Sequence, residues 1–373
     1  VNATIRAALA ALLLVALAGC GSAKPKLEPL PALTGPSAGR VLWRGSVGAA
    51  REFEFFPMVV GESVIASGSD GSIVRLELAT GRELWRANAG NRIAAGVGGS
   101  AKLVVVGTLD GEVIALSEDG KPAWKARVTS EIVGPPLVTN ELVVVRTADS
   151  RVFGLSAQDG KRRWVYQRAA PALVVRSSMG AVAAGGTVYA GFPGGKLVAL
   201  AANNGGLRWE GTVSLPKGTT ELERVSDVVG APWLAEREVC AVAFQGRAAC
   251  FDNNTGSPLW TKDLSSTSGL AGDARVVFVS EAKGAVVALD RSTGNSLWRQ
   301  DKLAGRTLSA PLAVDQTIVV GDGQGLVHLL ARETGAFVGR ISTDGTPIAA
   351  PPVRIPGGFL VQTRGGALYA VSL

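Results

Sequence analysis

The sequence predicts an all-β fold, an eight-bladed β-propeller built from four-stranded antiparallel blades. Three observations predict it. A unit of strand, turn, strand and Gly-x-x-x-Trp recurs, with its glycine at 81, 120, 160, 205, 256 and 294. Such self-similarity at about 40 residues is the signature of stacked or radial repeats. The composition, 48 glycines with 47% hydrophobic and only 18% charged residues, suits many short strands with tight turns. Finally, one copy of the unit is divided between the two ends of the chain.

Residues 1–19 form a leader. Arg6 supplies a sparse positive region, and Ala7 to Ala16 form an apolar run too short to span a bilayer. The run ends in Leu17-Ala18-Gly19-Cys20, which resembles a bacterial lipobox, so Cys20 is the expected site of lipid attachment. Gly21 follows the cysteine where aspartate would signal retention, so the expected destination is the outer membrane, on its periplasmic side. Residues 20–38 contain Pro25, Pro29, Pro31 and Pro36 and read as a flexible tether. Residues 39–373 are the expected propeller.

Within it, the clearest units are DGSIVRLELATGRELWR from Asp70, DGEVIALSEDGKPAWK from Asp110 and KGAVVALDRSTGNSLWR from Lys283. Short runs of β-branched residues separated by Asn/Asp/Thr-Gly turns are strand signals. A further copy keeps Gly335 but has Gly339 in the place of tryptophan. Small, proline-containing stretches such as Val133-Gly134-Pro135-Pro136, Ser309-Ala310-Pro311 and Ala349 to Pro352 are the expected crowded inner strands. The tryptophans then act as wide apolar wedges between neighbouring blades. The last segment, Gly365 to Leu373, stops short of its own glycine. Gly39-Arg40-Val41-Leu42-Trp43 at the front supplies the missing piece. Seven internal units and this shared one make eight blades, with the N-terminal strand closing the ring and both sheet edges hidden.

The glycine intervals from 160 to 205 and from 205 to 256 are long. The extra residues fall near 168–179 and 212–227, and spare length in a propeller emerges as loops that commonly carry function. Cys240 and Cys250 flank the Gln245-Gly246 turn. Either a cross-strand disulfide, which an oxidising compartment permits, or two buried free thiols satisfies the sequence.

The formal charge is +7, but lysine and arginine are scattered singly, without a basic run or an aromatic-rich basic stripe. Nucleic acid is therefore not an expected partner. His328 is the sole histidine, which excludes sites that need several, and no clustered oxygen set suggests a calcium cage. No GxGxxG leads from a strand into a helix. No metal, cofactor or catalytic residue is expected, and the chain is not expected to be an enzyme.

The lipobox, the eight repeats and the interrupted middle together resemble the BamB family, propeller lipoproteins of the bacterial outer-membrane β-barrel assembly machinery. The stretch Glu221-Leu222-Glu223-Arg224-Val225-Ser226-Asp227 is the most specific part of that resemblance. It implies a non-catalytic scaffold that docks onto the periplasmic POTRA domains of BamA and assists folding and insertion of outer membrane proteins. Other members of the assembly complex and unfolded outer membrane proteins are further implied partners. By resemblance, a Leu-x-Leu-Arg segment maps to Leu173, Val175 and Arg176, with valine in place of the second leucine. Asp227 maps to the first residue of an acidic segment whose second acid is here Val229. The alternatives are a quinoprotein-dehydrogenase-like enzyme, which shares the Gly-x-x-x-Trp unit, and another ligand-binding periplasmic propeller. The first would need adjacent cysteines and a calcium site that the sequence lacks.

Overall fold

The structure is a computed structural model that describes residues 27, 29–33, 37–176 and 180–373. The leader, Cys20 and residues 21–26 lie outside the described residues. Eight four-stranded antiparallel sheets follow one another around the ring. We number them as blades 1 (58–88), 2 (93–127), 3 (137–167), 4 (181–212), 5 (228–263), 6 (270–300), 7 (312–342) and 8 (353–372 with Arg40–Ser46). In blades 1 to 7 the chain runs from the innermost to the outermost strand. In blade 8 the outermost strand is Arg40–Ser46, paired antiparallel with Ala367–Ser372. The ring thus closes between its two ends, as the split unit predicts.

Second and third strands, such as Ser63–Ser67 and Ser72–Glu77, are largely buried because both of their faces meet neighbouring blades. Outermost strands such as Glu83–Asn88 alternate exposed and half-buried positions. The innermost strands are short, and the small proline-containing stretches expected to form them lie instead just before them. Leu137–Val138, Leu312–Val314 and Val353–Ile355 are the strands, and Pro136, Pro311 and Pro352 precede them. Proline has no N–H for the ladder, so it ends the incoming link rather than joining the sheet.

Each motif tryptophan locks its blade to the next. The Trp43 ring lies 2.6 Å from where a Cβ on Gly81 would stand, and Gly81 adopts a φ of +72°. Only glycine combines that turn with so close an approach. The same pairing joins Trp85 to Gly120, Trp124 to Gly160, Trp164 to Gly205, Trp209 to Gly256, Trp260 to Gly294 and Trp298 to Gly335. The indole N–H of each donates to a carbonyl of the same neighbouring turn, from Leu78 for Trp43 at 2.8 Å to Arg332 for Trp298 at 2.8 Å. Trp233 does another job, on the innermost strand of blade 5 against Gly272.

The outermost ladder slips by one residue at the same place in each blade, as between Arg75 and Leu76 or Ala288 and Leu289. The residue before the tryptophan, or before Gly339 in blade 7, is the one left out of register. A β-bulge leaves its extra residue unpaired and re-aims its neighbours. This accounts for the exposed Leu42, Leu84, Leu259 and Leu297 on the rim, which are the local consequence of aiming a tryptophan into the seam.

Candidate partner-docking face

In this topology the links from an outermost strand to the next innermost strand all emerge on one face of the ring. The hairpins between second and third strands emerge there too. The two long intervals are such links. One runs between Gln167 and Ala181, the other between Thr212 and Val228, so they are consecutive on the same face.

A buried carboxylate joins the two links. Asp227 has no exposed surface. Its Oδ2 accepts the backbone N–H of Val175 at 2.6 Å, and its Oδ1 accepts that of Gly194 at 3.0 Å. The surface contact expected for Asp227 therefore does not fit its position. The side chain faces inward, where two backbone donors converge on it. Asp227 is a positioning residue for the 171–176 segment.

The segment it holds presents Leu173 and Val174 to solvent, at 46% and 45% exposure, while Val175 is half-buried. Arg176 extends over the ring of Phe53, 5.0 Å from its centroid, and donates to Glu131 at 2.5 Å. Phe53 belongs to the link entering blade 1 and Glu131 to the link entering blade 3, so one arginine bridges three links. Its side chain remains 60% exposed, so the ion pair with Glu131 contributes little to stability and mainly sets orientation. Beneath the segment lies Arg146, buried over the Phe192 ring at 4.7 Å, and burial lowers its guanidinium to about 9.

The second link is self-braced. Glu223 accepts the N–H groups of Thr220 and Thr219, at 3.1 and 2.9 Å, and these hold its carboxyl below the ordinary carboxylate range. Its own N–H donates to the Thr220 hydroxyl, a reciprocal arrangement like a capping box. Leu215 and Leu222 stand exposed on this link, at 61% and 68%. Leu215 lies outside the stretch that carries the resemblance and Leu222 inside it, and neither leucine carries a periodic signal of its exposure. Arg168, at the start of the first link, pairs with Glu210.

The remaining candidate residues are structural. Cys240 and Cys250 are direct cross-strand partners, with Cα atoms 4.0 Å apart, and are joined as a disulfide. With Glu238 they form the one His/Cys/Asp/Glu grouping of metal-binding proximity among the described residues. Sulfurs spent in a disulfide cannot act as thiolate ligands. His328 is buried with its Nε2 3.0 Å from Asp322, and Arg306 approaches the same carboxylate at 3.4 Å. Burial pushes the Asp322 carboxyl up. The bond to His328 and the N–H of Leu326 outweigh it and hold the group below its ordinary value.

Comparison with known proteins decides the family. A family model described as "Outer membrane protein assembly factor BamB" matches residues 69–300 and 282–372. The chain belongs to the BamB family. Its similarity to the BamB of Bordetella pertussis is 42% identity, covering 96% of this chain and 94% of that one. The crystal structure of BamB from Moraxella catarrhalis superposes with a TM-score of 0.84 at 27% identity, over 90% of this chain and all of that one. A quinohemoprotein alcohol dehydrogenase from Comamonas testosteroni shares the ring, with a TM-score of 0.68 over 90% of this chain and 76% of its own. At 14% identity that likeness is one of fold alone. BamB proteins are non-catalytic outer-membrane assembly factors, and the chain is not an enzyme.

Proposed function

We propose that the chain is a scaffold of the β-barrel assembly machinery, held at the membrane by a lipid on Cys20. In this reading it docks onto the periplasmic POTRA domains of BamA through the segment ending at Arg176. The observation that carries the reading is the Asp227 clasp, which spends a buried carboxylate on presenting two exposed aliphatic side chains and a shared arginine. Here the backbone of Val175 is tied down and the aliphatics face solvent. Exposed aliphatics beside an arginine are suited to the centre of an interface. Leu215 and Leu222 on the adjoining link extend the apolar surface of the same face. Docking there fixes the orientation of the partner domains and raises the local concentration of whatever both components bind.

The test is co-purification from native outer membranes with a tagged full-length chain. BamA is expected to accompany the wild type and to be lost from the Leu173→Ala, Arg176→Ala double variant. Retention of BamA by a folded double variant refutes the assignment of the interface. Absence of BamA from the wild-type preparation refutes the function.

A further inference from the structure

Blade 7 departs from the pattern of its neighbours. Where the other outermost strands carry tryptophan, Phe337–Ser342 carries Gly339. Gly39, the glycine that would have received that ring, is met by the methyl groups of Leu329 and Ile341 instead. The vacated space is occupied by the segment preceding blade 8. The carbonyl oxygen of Ala38 lies 2.5 Å from where a Cβ on Gly339 would stand. Ala38 donates its N–H to the carbonyl of Val338 at 2.9 Å. The N–H of Arg340 donates to the Ser37 hydroxyl at 3.0 Å, and its guanidinium donates to the carbonyl of Pro31 at 3.1 Å. Val338 and Arg340 point these groups out of the exposed edge of the sheet, so the chain pairs with that edge much as an added strand would. Leu30 packs against the apolar cluster between blades 6 and 7, and Leu27 lies beside Gly305 in the link between those blades.

We propose that these residues form a strap that fixes which edge of the ring faces the membrane. The inference rests on lipidation of Cys20. A tether running freely from Cys20 to Gly39 would reach about 65 Å and let the ring turn in any direction. With Leu27 docked at the seam of blades 6 and 7, six residues separate it from Cys20, and the reach falls to about 25 Å. The seam of blades 6 and 7, on the face that carries the links, is then the part of the ring held nearest the phospholipid headgroups. Two of the six residues are Lys24 and Lys26, complementary to anionic headgroups. The outermost strands of blades 8, 2 and 3 carry two basic residues each, Arg40 and Arg44, Lys125 and Arg127, and Arg162 and Arg163, whereas those of blades 1, 4 and 5 each pair one basic with one acidic residue. Charge alone would favour the arc from blade 8 to blade 3 and would not select the seam of blades 6 and 7. The strap does.

The experiment places the lipidated full-length chain on vesicles of phosphatidylethanolamine and phosphatidylglycerol containing an acceptor-labelled lipid. A donor dye is attached in turn to Lys302→Cys, beside the seam, to Lys217→Cys, on the same face between blades 4 and 5, and to Lys121→Cys, on the opposite face. Energy transfer is expected to be highest from position 302 and lowest from 121. Gly339→Trp, which refills the vacancy and evicts Ala38, should abolish the difference while the chain stays on the vesicles. Leu30→Glu should do the same without altering the blade itself, which keeps the test open if the tryptophan variant fails to fold. Equal transfer from the three sites, or an unchanged pattern in a folded strap variant, overturns the strap. Failure of the wild-type chain to float with the vesicles overturns the lipid anchor instead.

Discussion

Replacing Gly256 by alanine tests whether the seams between blades hold the ring together. Gly256 has a φ of +73° and lies against Trp209, whose ring is 2.6 Å from the position a Cβ would take. Gly357, in a turn of blade 8, has a φ of +65° and no heavy atom within 4 Å of that position. Both substitutions impose the backbone cost of a left-handed alanine, roughly 1 kcal/mol. Only Gly256→Ala must also push an indole back by about 1 Å, which in a packed interior costs roughly 1–3 kcal/mol. That shift strains the bond from the Trp209 N–H to the Asn253 carbonyl, 3.0 Å long, worth about 1 kcal/mol more. It also disturbs the packing of Trp209 against Tyr189 and Phe251. The expected gap between the variants is therefore about 2–4 kcal/mol, or a midpoint about 1 M lower in urea at an unchanged slope. Equal midpoints for the two variants would refute the view that the tryptophan–glycine pairs carry the contact between blades.

Two further outcomes follow from buried carboxylates. Asp227→Ala strands the N–H groups of Val175 and Gly194, at a cost of about 2–4 kcal/mol. Hydrogen exchange should quicken at both amides while distant blades keep their protection, and BamA recovery should fall although no contact residue has changed. Asp322, whose folded pKa lies below the ordinary 3.8, contributes stability that is complete above that value and lost as pH falls through the folded pKa. Urea midpoints compared at pH 6 and pH 3 should therefore drop more steeply for the wild type than for Asp322→Asn, which has no such proton to bind.

The function-bearing residues differ in how far they could be read from the chain. Leu173 and Arg176 stand out because the Gly160 to Gly205 interval is too long for a blade and the surplus must go somewhere. Their surroundings do not stand out. The clasp from Val175 to Asp227 spans 52 positions, and the bond from Arg176 to Glu131 spans 45. Asp227 looks like a surface acid in a polar stretch until the second link is seen to fold back over the first. The exposed rim leucines would pass for an adhesive belt if the bulge that displaces them were not visible.

By itself, the sequence determined the all-β class, the number of blades, the closure by Gly39 to Trp43 and the wedging of the tryptophans. These properties repeat, or are missing from one end and present at the other, so they show in spacing alone. Tertiary structure decided the rest. It joined Cys240 to Cys250, where the sequence left a disulfide and free thiols equally open. It turned Asp227 inward, and it filled the place of the absent tryptophan at Gly339 with Ala38 from the far end of the chain. Each of these depends on register or on contacts between distant links. A pattern of residue types along the chain carries the period of the fold, but not which unpaired donors and empty spaces the folded ring brings face to face.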